Sequence, residues 1–381
     1  MSESYVRRYL EDAVREDLQK KMVFIAGPRQ SGKTTLARKI QKDLSPDVGE
    51  NFYLNWDSAA DRERIIREQF AAGEGVLILD EVHKYPRWRQ VVKGLFDRRK
   101  DELKILVTGS GRLDYYRRGG ESLQGRYYFY RLHPFTLKEV HALRENALDD
   151  LFKYGGFPEP FLMASERESR RWSRDYRERI IYGDLTSLEN VREIGLVENL
   201  ALRLPDLVGS PLSINALRED LQVSHQTVLR WLEIFERLYM IFRIFPYGPP
   251  RIRAVKKEAK HYHFDWTLVD DPGARFENLV AVHLLKWVHF QQDFEGLDTE
   301  LRYFRRRDGR EVDFVILKDR RPILFLECRL RAREINKTLG YLKNHFPEAE
   351  AVQIVLFGEE DYVTRDGIRV RPAKDFLLEL V

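Results

Sequence analysis

Cysteine is almost missing from this sequence: Cys328 is the single example among 381 residues. One thiol excludes an internal disulfide and any metal site built from several cysteines, as is usual in the reducing cytoplasm. Long apolar runs are missing too, because none approaches the roughly 20 residues of a membrane-spanning helix. Residues 1–5 also lack the apolar core of a signal peptide. We therefore expect a cytoplasmic protein that makes no contact with a membrane.

An excess of charge of one sign is also missing. The chain has 65 Lys and Arg against 61 Asp and Glu, a net charge of +4, although 33% of its residues are charged. An anionic partner would therefore have to be bound by local basic clusters rather than by the total charge. The length and a hydrophobic content of 43% suffice for two or three domains with cores of their own.

A glycine-containing loop follows a short apolar segment at residues 23–26 and reads G-P-R-Q-S-G-K-T over residues 27–34. This G-x4-G-K-T spacing between a strand and a helix predicts a phosphate-binding loop, in which Lys33 reaches the β- and γ-phosphates and Thr34 binds Mg²⁺. The positive end of the following helix favours the same anion. We therefore expect ATP and Mg²⁺ as cofactors. The predicted nucleotide-binding residues are Gly27, Pro28, Arg29, Gln30, Ser31, Gly32, Lys33, Thr34 and Thr35.

Two further apolar segments end in polar residues. Residues 76–79 lead into Asp80 and Glu81, where Asp80 can bind Mg²⁺ and Glu81 can polarise the attacking water. Residues 104–108 lead into Gly109 and Ser110, and Ser110 or Thr108 would lie beside the γ-phosphate; the alternative is a glycine turn without a catalytic part. Alternating strands and helices from residue 22 to about 130 predict a parallel sheet with ligands at the strand carboxyl ends.

Arg126 precedes a strand-like aromatic segment at residues 127–130. It could stabilise charge on the γ-phosphate, in its own subunit or in a neighbour, as an arginine finger does. The alternative is an ordinary surface arginine. The predicted catalytic set is therefore Lys33, Asp80, Glu81, Ser110 and Arg126, with Thr34 and Asp80 as the Mg²⁺ ligands.

Several motifs together resemble one protein family. They are G-P-R-Q-x-G-K-T-T at 27–35, L-D-E-V-H-K at 79–84, T-G-S at 108–110, L-x-G-R at 123–126, H-P-F-T at 133–136 and Y-G-G-F-P-E-P at 154–160. In this order they are similar to the archaeal and bacterial AAA+ type ATPases that carry a C-terminal domain of uncertain function. The resemblance implies an α/β P-loop ATPase core at 1–136, a helical lid at 137–208, a winged helix at 209–265 and a restriction-endonuclease-like domain at 266–381. We also expect a homo-oligomer.

Residues 213–238 predict two helices joined by a tight turn, a helix-turn-helix, followed by strands at 241–245 and 261–264. Two readings remain open, a DNA-binding winged helix and a packing module. In the first, wing contacts to phosphate would be salt-dependent and largely blind to sequence. The predicted DNA contacts are His225, Gln226 and Arg230 on the second helix and Arg251, Arg253, Lys256 and Lys257 in the basic loop, which also holds Lys260.

The segment 166–179 is rich in arginine, with Trp172 and Tyr176 four residues apart. Spacing of this kind favours a solvated helix with one anchoring face over a contact to DNA or to another subunit.

The order of elements after residue 271 resembles the restriction-endonuclease-like fold. That resemblance implies a catalytic set of Glu277, Asp313 and Glu327, which could hold Mg²⁺ to activate a water. Arg329 stands where the motif has lysine; a guanidinium stays protonated and is no base, but it can hold a DNA phosphate. We therefore favour a DNA-gripping domain or weakened nuclease over an active nuclease.

Three functions fit these features. The first is an ATP-hydrolysing AAA+ protein that binds, remodels or translocates DNA. The second is an ATP-gated, metal-dependent nuclease, and the third is a nucleotide switch that binds protein partners.

Overall fold

The computed structural model describes residues 5–111, 113, 123–185, 193–248, 259–306, 308–331 and 334–381. The chain divides into two compact units, Met1–Pro134 and Phe135–Val381. The finer, four-part division drawn from the sequence stays a prediction. Within the described ranges, no helix is both long enough and apolar enough to cross a lipid bilayer.

A five-stranded sheet forms the centre of the first unit, with strand order β2-β3-β4-β1-β5 and parallel pairing throughout. Strands β1, β3 and β4 are runs of buried apolar residues, as is typical of parallel sheets covered on both faces. The predicted α/β class is thus confirmed. The elements are α1 (Glu11–Asp17), β1 (Met22–Ala26), α2 (Lys33–Leu44), β2 (Tyr53–Asn55), α3 (Ala59–Ile66), β3 (Gly75–Asp80), α4 (Trp88–Arg99), β4 (Leu103–Thr108) and β5 (Tyr127–Arg131).

Helix α1 is shorter than the sequence predicts. Apolar residues four apart predict a helix over residues 5–20, whereas the helix covers only Glu11–Asp17. Tertiary contacts hold the residues before it. The Arg8 guanidinium donates to the carbonyl oxygens of Ser31 and His133, at 2.6 Å each, and the Tyr9 hydroxyl donates to a carbonyl of β5. These buried bonds fix the segment against the phosphate loop in a conformation that periodicity does not reveal.

The second unit begins with short helices and continues into a mixed sheet. Its elements are α5 (Leu137–Val140), α6 (Ala147–Tyr154), α7 (Pro158–Met163), α8 (Glu166–Glu178), α9 (Ile194–Arg203), α10 (Ile214–Leu221), α11 (His225–Arg237), β6 (Ile241–Pro246), β7 (Lys260–His263), α12 (Pro272–Asp293), β8 (Thr299–Arg305), β9 (Glu311–Lys318), β10 (Arg321–Arg331), α13 (Lys337–His345), β11 (Glu350–Phe357), β12 (Tyr362–Val363), β13 (Arg369–Pro372) and α14 (Ala373–Glu379).

The helix-turn-helix predicted at 213–238 is present as α10 and α11. Ser213 and Ser224 cap the two helices, and the Ser224 hydroxyl accepts the Thr227 N–H at 3.0 Å. The apolar stripe of α11, which includes Trp231 and Phe235, is buried. The serine caps set where the two helices begin, and the spacing of the apolar residues sets which side of α11 is buried.

The hairpin β6–β7, predicted as an independent wing, extends a larger sheet instead. The strand order is β12-β13-β11-β10-β9-β8-β6-β7, and β6 pairs in parallel with β8 through Phe245 and Pro246. The outer side of β6 would be an exposed edge in an isolated hairpin, and here β8 pairs with it. The hairpin is therefore part of the same sheet as the strands that carry Asp313 and Glu327.

Helices from the segment predicted as a lid pack on α12. The Lys286 ammonium, fully buried on α12, pairs with Glu139 of α5 and donates to the Thr136 hydroxyl at 2.7 Å. The Trp266 indole N–H donates to the carbonyl of Leu151 in α6 at 2.7 Å. These contacts join α5 to α12 and α6 to the segment before α12. Removing one partner of the buried ion pair would leave an unpaired charge and cost about 3–5 kcal/mol.

Candidate active site

The phosphate loop joins β1 to α2 at the carboxyl edge of the parallel sheet. A Cβ on Gly27 would lie 2.2 Å from the Leu132 carbonyl oxygen, so no side chain fits there. Gly32 has φ +91°, in the left-handed region that glycine adopts at low cost. The backbone path therefore requires glycine at both of these positions.

The ammonium group of Lys33 lies inside this loop. It donates to the carbonyl oxygens of Gly27 at 3.1 Å and Pro28 at 2.6 Å, and the residue is 7% exposed. A phosphate bound in the loop would meet this charge and the first N–H groups of α2. The geometry fits the role predicted for Lys33.

Asp80, at the end of β3, accepts hydrogen bonds from three hydroxyl groups. The Thr34 hydroxyl lies 2.8 Å from Oδ2, the Tyr53 hydroxyl 2.9 Å from the same oxygen, and the Thr108 hydroxyl 2.5 Å from Oδ1. The carboxylate is buried and held in one orientation. Thr34 and Asp80, the two predicted Mg²⁺ ligands, are thus in direct contact, and this oxygen pair fits a hard cation.

Tyr53 is a member of the site that motif reasoning missed. Burial, followed by the Asp80 charge, raises the pKa of its phenol, so the hydroxyl stays a donor. The Arg38 guanidinium lies 3.8 Å from the centre of its ring. The available signal was the position of Tyr53 in β2, the strand next to β3.

Glu81 follows Asp80, the last residue of β3, and has left-handed backbone geometry with φ +55°. Its carboxylate pairs with the Lys84 ammonium at 3.2 Å, and Lys84 also pairs with Asp57 at 2.6 Å. The His83 ring lies 3.7 Å from the same carboxylate and packs on Gly109, where a Cβ would be 2.5 Å from Nδ1. Glu81 is therefore held by charged neighbours beside the turn that carries Ser110.

Ser110 lies at the same edge, immediately after β4, and is buried. The Thr108 hydroxyl, which the sequence offers as the alternative beside the γ-phosphate, instead donates to Asp80. Thr108 and Ser110 are the two candidates for the position beside the γ-phosphate. Because the Thr108 hydroxyl is bonded to Asp80, Ser110 is the better candidate.

Arg126 lies far from the phosphate loop of its own chain. It precedes β5, and the first residue of β5 pairs with Met22, the first residue of β1. The phosphate loop follows the opposite end of β1, five residues on, or roughly 16 Å at the rise of a strand. Arg126 pairs there with Asp97 at 2.8 Å and lowers the pKa of that carboxyl group. At that distance Arg126 does not reach the phosphate loop of its own chain, and its role at the site of a neighbouring subunit stays a prediction.

A second cluster of charged residues lies in the mixed sheet. It contains the predicted metal residues Glu277, Asp313 and Glu327, together with Lys260. The Lys260 ammonium lies 3.3 Å from Glu277 and 2.5 Å from Glu311, and the side chain is fully buried. The Tyr262 hydroxyl donates to Glu277 at 2.7 Å. Lys260, which the sequence places in a basic loop, is thus a buried cation of this cluster.

Burial and mutual repulsion govern the protonation of the cluster. Burial raises the pKa of Asp313 well above its usual range, with further contributions from the Glu277 and Glu327 charges. Burial raises the pKa of Glu327 as well, although the Arg329 guanidinium 2.5 Å away opposes that shift. Burial alone would lower the pKa of Lys260, but the carboxylates outweigh it and raise that pKa.

The three carboxylates do not form a ready metal site. No group of three or more His, Cys, Asp or Glu side chains in the described ranges converges closely enough to hold a metal ion. Lys260 and Arg329 supply positive charge next to Glu277 and Glu327. Gly209 also closes on the cluster, since a Cβ there would lie 3.0 Å from Glu277 Oε2. Lys260 and Arg329 thus balance part of the negative charge of the three carboxylates.

The predicted DNA contacts on α11 lie at its surface. Gln226 and Arg230 are exposed, and His225 is half-buried at the start of the helix. Arg251, Arg253, Lys256 and Lys257 lie outside the described residues. Arg329 is 40% exposed beside Glu327.

Residues 19–141 match the family model of an AAA domain, and residues 145–270 and 272–376 match two models of domains of unknown function. Among relatives, the uncharacterized protein Rv2008c of Mycobacterium tuberculosis is 24% identical over 373 residues, covering 93% of this chain and 81% of its own. The uncharacterized protein MJ1544 of Methanocaldococcus jannaschii is 24% identical over 408 residues, covering 95% and 87%.

Two solved structures are similar at low scores. The ORC1 protein of Aeropyrum pernix in complex with DNA has a TM-score of 0.36 at 14% identity, covering 72% of this chain and 93% of that one. AMPPCP-bound DnaA from Aquifex aeolicus has a TM-score of 0.32 at 15% identity, covering 60% and 86%. The AAA-domain match coincides with the phosphate loop, Asp80 and Glu81. Residues 19–141 of this chain therefore form an AAA domain with a phosphate loop, and two domains of unknown function follow it.

Proposed function

We propose that this protein hydrolyses ATP with Mg²⁺ at the carboxyl edge of the parallel sheet and uses the cycle to bind and remodel DNA as a homo-oligomer. One observation carries the first half of this proposal. The Thr34 hydroxyl of the phosphate loop lies 2.8 Å from Asp80 at the end of β3. Two segments 46 residues apart thus present one oxygen-rich site beside the Lys33 ammonium.

Each residue then has a distinct part. Lys33 and the loop N–H groups bind the β- and γ-phosphates, and Thr34 and Asp80 would hold Mg²⁺, which supplies positive charge to the phosphate oxygens. Glu81 accepts a hydrogen bond from the attacking water and aligns it once its pairing with Lys84 loosens. Ser110 binds next to the γ-phosphate. Arg126 acts on the site of a neighbouring subunit, because the site of its own subunit lies at the other edge of the sheet.

Two substitutions test the nucleotide site. We expect Lys33→Ala to abolish nucleotide binding, measured with a fluorescent ATP analogue, because it removes the cation from the loop. Glu81→Gln should bind with near-normal affinity and lose turnover by about 10²–10⁴-fold, the usual contribution of a general base. Wild-type turnover in Glu81→Gln would refute the assigned role of Glu81.

The DNA half of the proposal rests on α11. Gln226 and Arg230 are exposed on a helix whose other side is buried, which is the pattern of a recognition helix. Duplex binding at two salt concentrations tests this part, since phosphate contacts weaken steeply with salt. A protein that binds nucleotide but no duplex at low salt would instead favour the switch that binds protein partners.

For the charge cluster in the mixed sheet we propose that it helps to bind DNA and does not cleave it. The two basic groups beside the carboxylates, Lys260 and Arg329, support this reading, because a metal would have to displace or outcompete them. Arg329, partly exposed, would hold a DNA phosphate. We expect supercoiled plasmid to stay intact with Mg²⁺ or Mn²⁺, for wild type and for Asp313→Ala alike. Nicking that Asp313→Ala abolishes would establish the ATP-gated nuclease instead.

A further inference from the structure

We propose that a basic cavity beside helix α8 binds the phosphates of an extended polyanion, namely a nucleic-acid strand. The cavity has a volume of about 460 Å³, within the range of ligand pockets. Five of its lining residues are cationic and two are acidic. The cationic residues are Lys153, Arg170, Arg174, Arg177 and Arg275, and the acidic residues are Glu166 and Asp270.

The arginines of α8 form a row along the cavity. Arg170, Arg174 and Arg177 are four and three residues apart, so they lie on one face of the helix. Their separations along the helix axis are about 6 Å and about 4.5 Å, close to one helical turn in each case. A row of guanidinium groups at this spacing fits successive phosphates of a chain better than a single phosphate ion.

The opposite face of α8 is occupied by its own packing. The Trp172 and Tyr176 rings stack at 4.8 Å between their centres, and Trp172 also lies 4.7 Å from the Phe157 ring. This confirms the anchoring face that the sequence predicts. The arginine row is thus held rigidly by a buried aromatic cluster, and binding would not have to order the helix.

The intramolecular ion pairs of the row are weak. Arg170 lies 3.4 Å from Glu166, and Arg174 lies 3.7 Å from Asp175 and 3.9 Å from Glu178, all at exposed positions. Exposed pairs contribute only about 0–1 kcal/mol each, so phosphate oxygens can displace them. Within the described part of the chain Arg177 makes no ion pair, and its Nε is buried without a hydrogen-bond partner.

Three residues that line the cavity, Ser173, Thr267 and Arg275, already have hydrogen-bond partners. The Ser173 hydroxyl donates to the buried Asp265 carboxylate at 2.6 Å, and the same carboxylate accepts the Thr267 hydroxyl at 2.6 Å. Arg275 donates to the Val269 carbonyl at 2.7 Å through Nε. Asp265 therefore has its own donors, and the lining of the cavity keeps five cationic residues against two acidic ones.

This inference deepens the proposed DNA-binding function but can be tested apart from it. The variant is the full chain with Arg170→Gln and Arg174→Gln. The matched control is Arg167→Gln with Arg171→Gln, which removes the same charge from the same helix at positions of similar exposure that do not line the cavity. Thermal melting should be equal for both. The probes are a labelled oligothymidine and a labelled inorganic polyphosphate, titrated at several salt concentrations.

We expect the cavity variant to bind oligothymidine about three- to tenfold more weakly than the control, as when two exposed ionic contacts are lost. The slope of log affinity against log salt should fall by about 1.4, or 0.7 for each lost phosphate contact to a single strand. Equal binding by the two variants would overturn the inference. If wild type binds no DNA but binds polyphosphate through Arg170 and Arg174, the cavity is a phosphate site and the proposed function fails. If neither probe distinguishes the variants, the cavity assignment fails as well.

Discussion

Removing the ammonium group of Lys260 gives the sharpest test of the charge cluster. Lys260→Met keeps most of the side-chain volume but leaves Glu277, Glu311 and Asp313 without the cation at their centre. Losing one partner of a buried ion pair costs about 3–5 kcal/mol. For a unit of this size, each kcal/mol lowers the melting temperature by about 2–4 °C, so the expected loss is on the order of 10 °C.

The sign of the pH dependence follows from the carboxyl groups. Asp313 and Glu327 have pKa values raised by burial, and Lys260 opposes the shift at Asp313, so its removal raises that pKa further. The folded state then binds more protons than the unfolded state above the ordinary carboxyl range near pH 4. Stability of the variant therefore falls as pH rises, by up to about 1.4 kcal/mol per pH unit and proton, and is largest at low pH.

The assay is thermal unfolding, followed by circular dichroism between about pH 5 and pH 8. The gap between wild type and Lys260→Met should widen toward pH 8 and narrow toward pH 5. Lys318→Met, an exposed lysine at the end of β9, controls for the substitution itself, and adding Glu277→Gln to Lys260→Met should recover part of the loss. A variant that melts with wild type at pH 8, or a gap that widens as pH falls, would refute the reasoning.

Three further predictions concern the first unit. Tyr53→Phe removes one of three hydroxyl donors to Asp80, and we expect ATP turnover to fall about tenfold or less with folding intact, measured by phosphate release and melting. Lys84→Ala frees Glu81 from its ion pair, so the ATPase rate should change while nucleotide affinity does not; equal loss of both would mean that Lys84 only supports the fold. Arg8→Met removes two buried bonds to Ser31 and His133, each worth about 1.5–3 kcal/mol; calorimetry should show a lower melting temperature, and ATP titration a weaker affinity, with Arg7→Met at a surface ion pair as the control.

Local patterns were enough to predict most of the nucleotide site. The phosphate loop, Asp80 and Glu81 lie on segments whose spacing and apolar runs specify a strand, a tight loop and a helix. Tyr53 was missed because its contact with Asp80 depends on which strand lies beside β3. The spacing of residues along one segment does not predict the order of strands in a sheet. Ser110 was located correctly at the sheet edge, and its catalytic part stays a prediction.

Long-range pairing accounts for the remaining differences. The position of Arg126 relative to the loop depends on the register of β5 with β1, and that register places it at the far edge. The sequence predicts that Lys260 is one of several basic residues in a loop. In the structure it is the first residue of strand β7 and lies beside Glu277. The helix expected over residues 5–20 is shortened by the bonds of Arg8, whose acceptors lie 23 and 125 residues away.

The coupling of ATP to DNA is the central claim, and one titration tests it most directly. Labelled duplex is titrated with Glu81→Gln, with and without Mg-ATP, so that the nucleotide stays intact while bound. The account predicts salt-sensitive duplex binding whose affinity changes when Mg-ATP is present, and no such change in Lys33→Ala. Tight ATP binding together with no binding of duplex, junction or single-stranded DNA at low salt would contradict it.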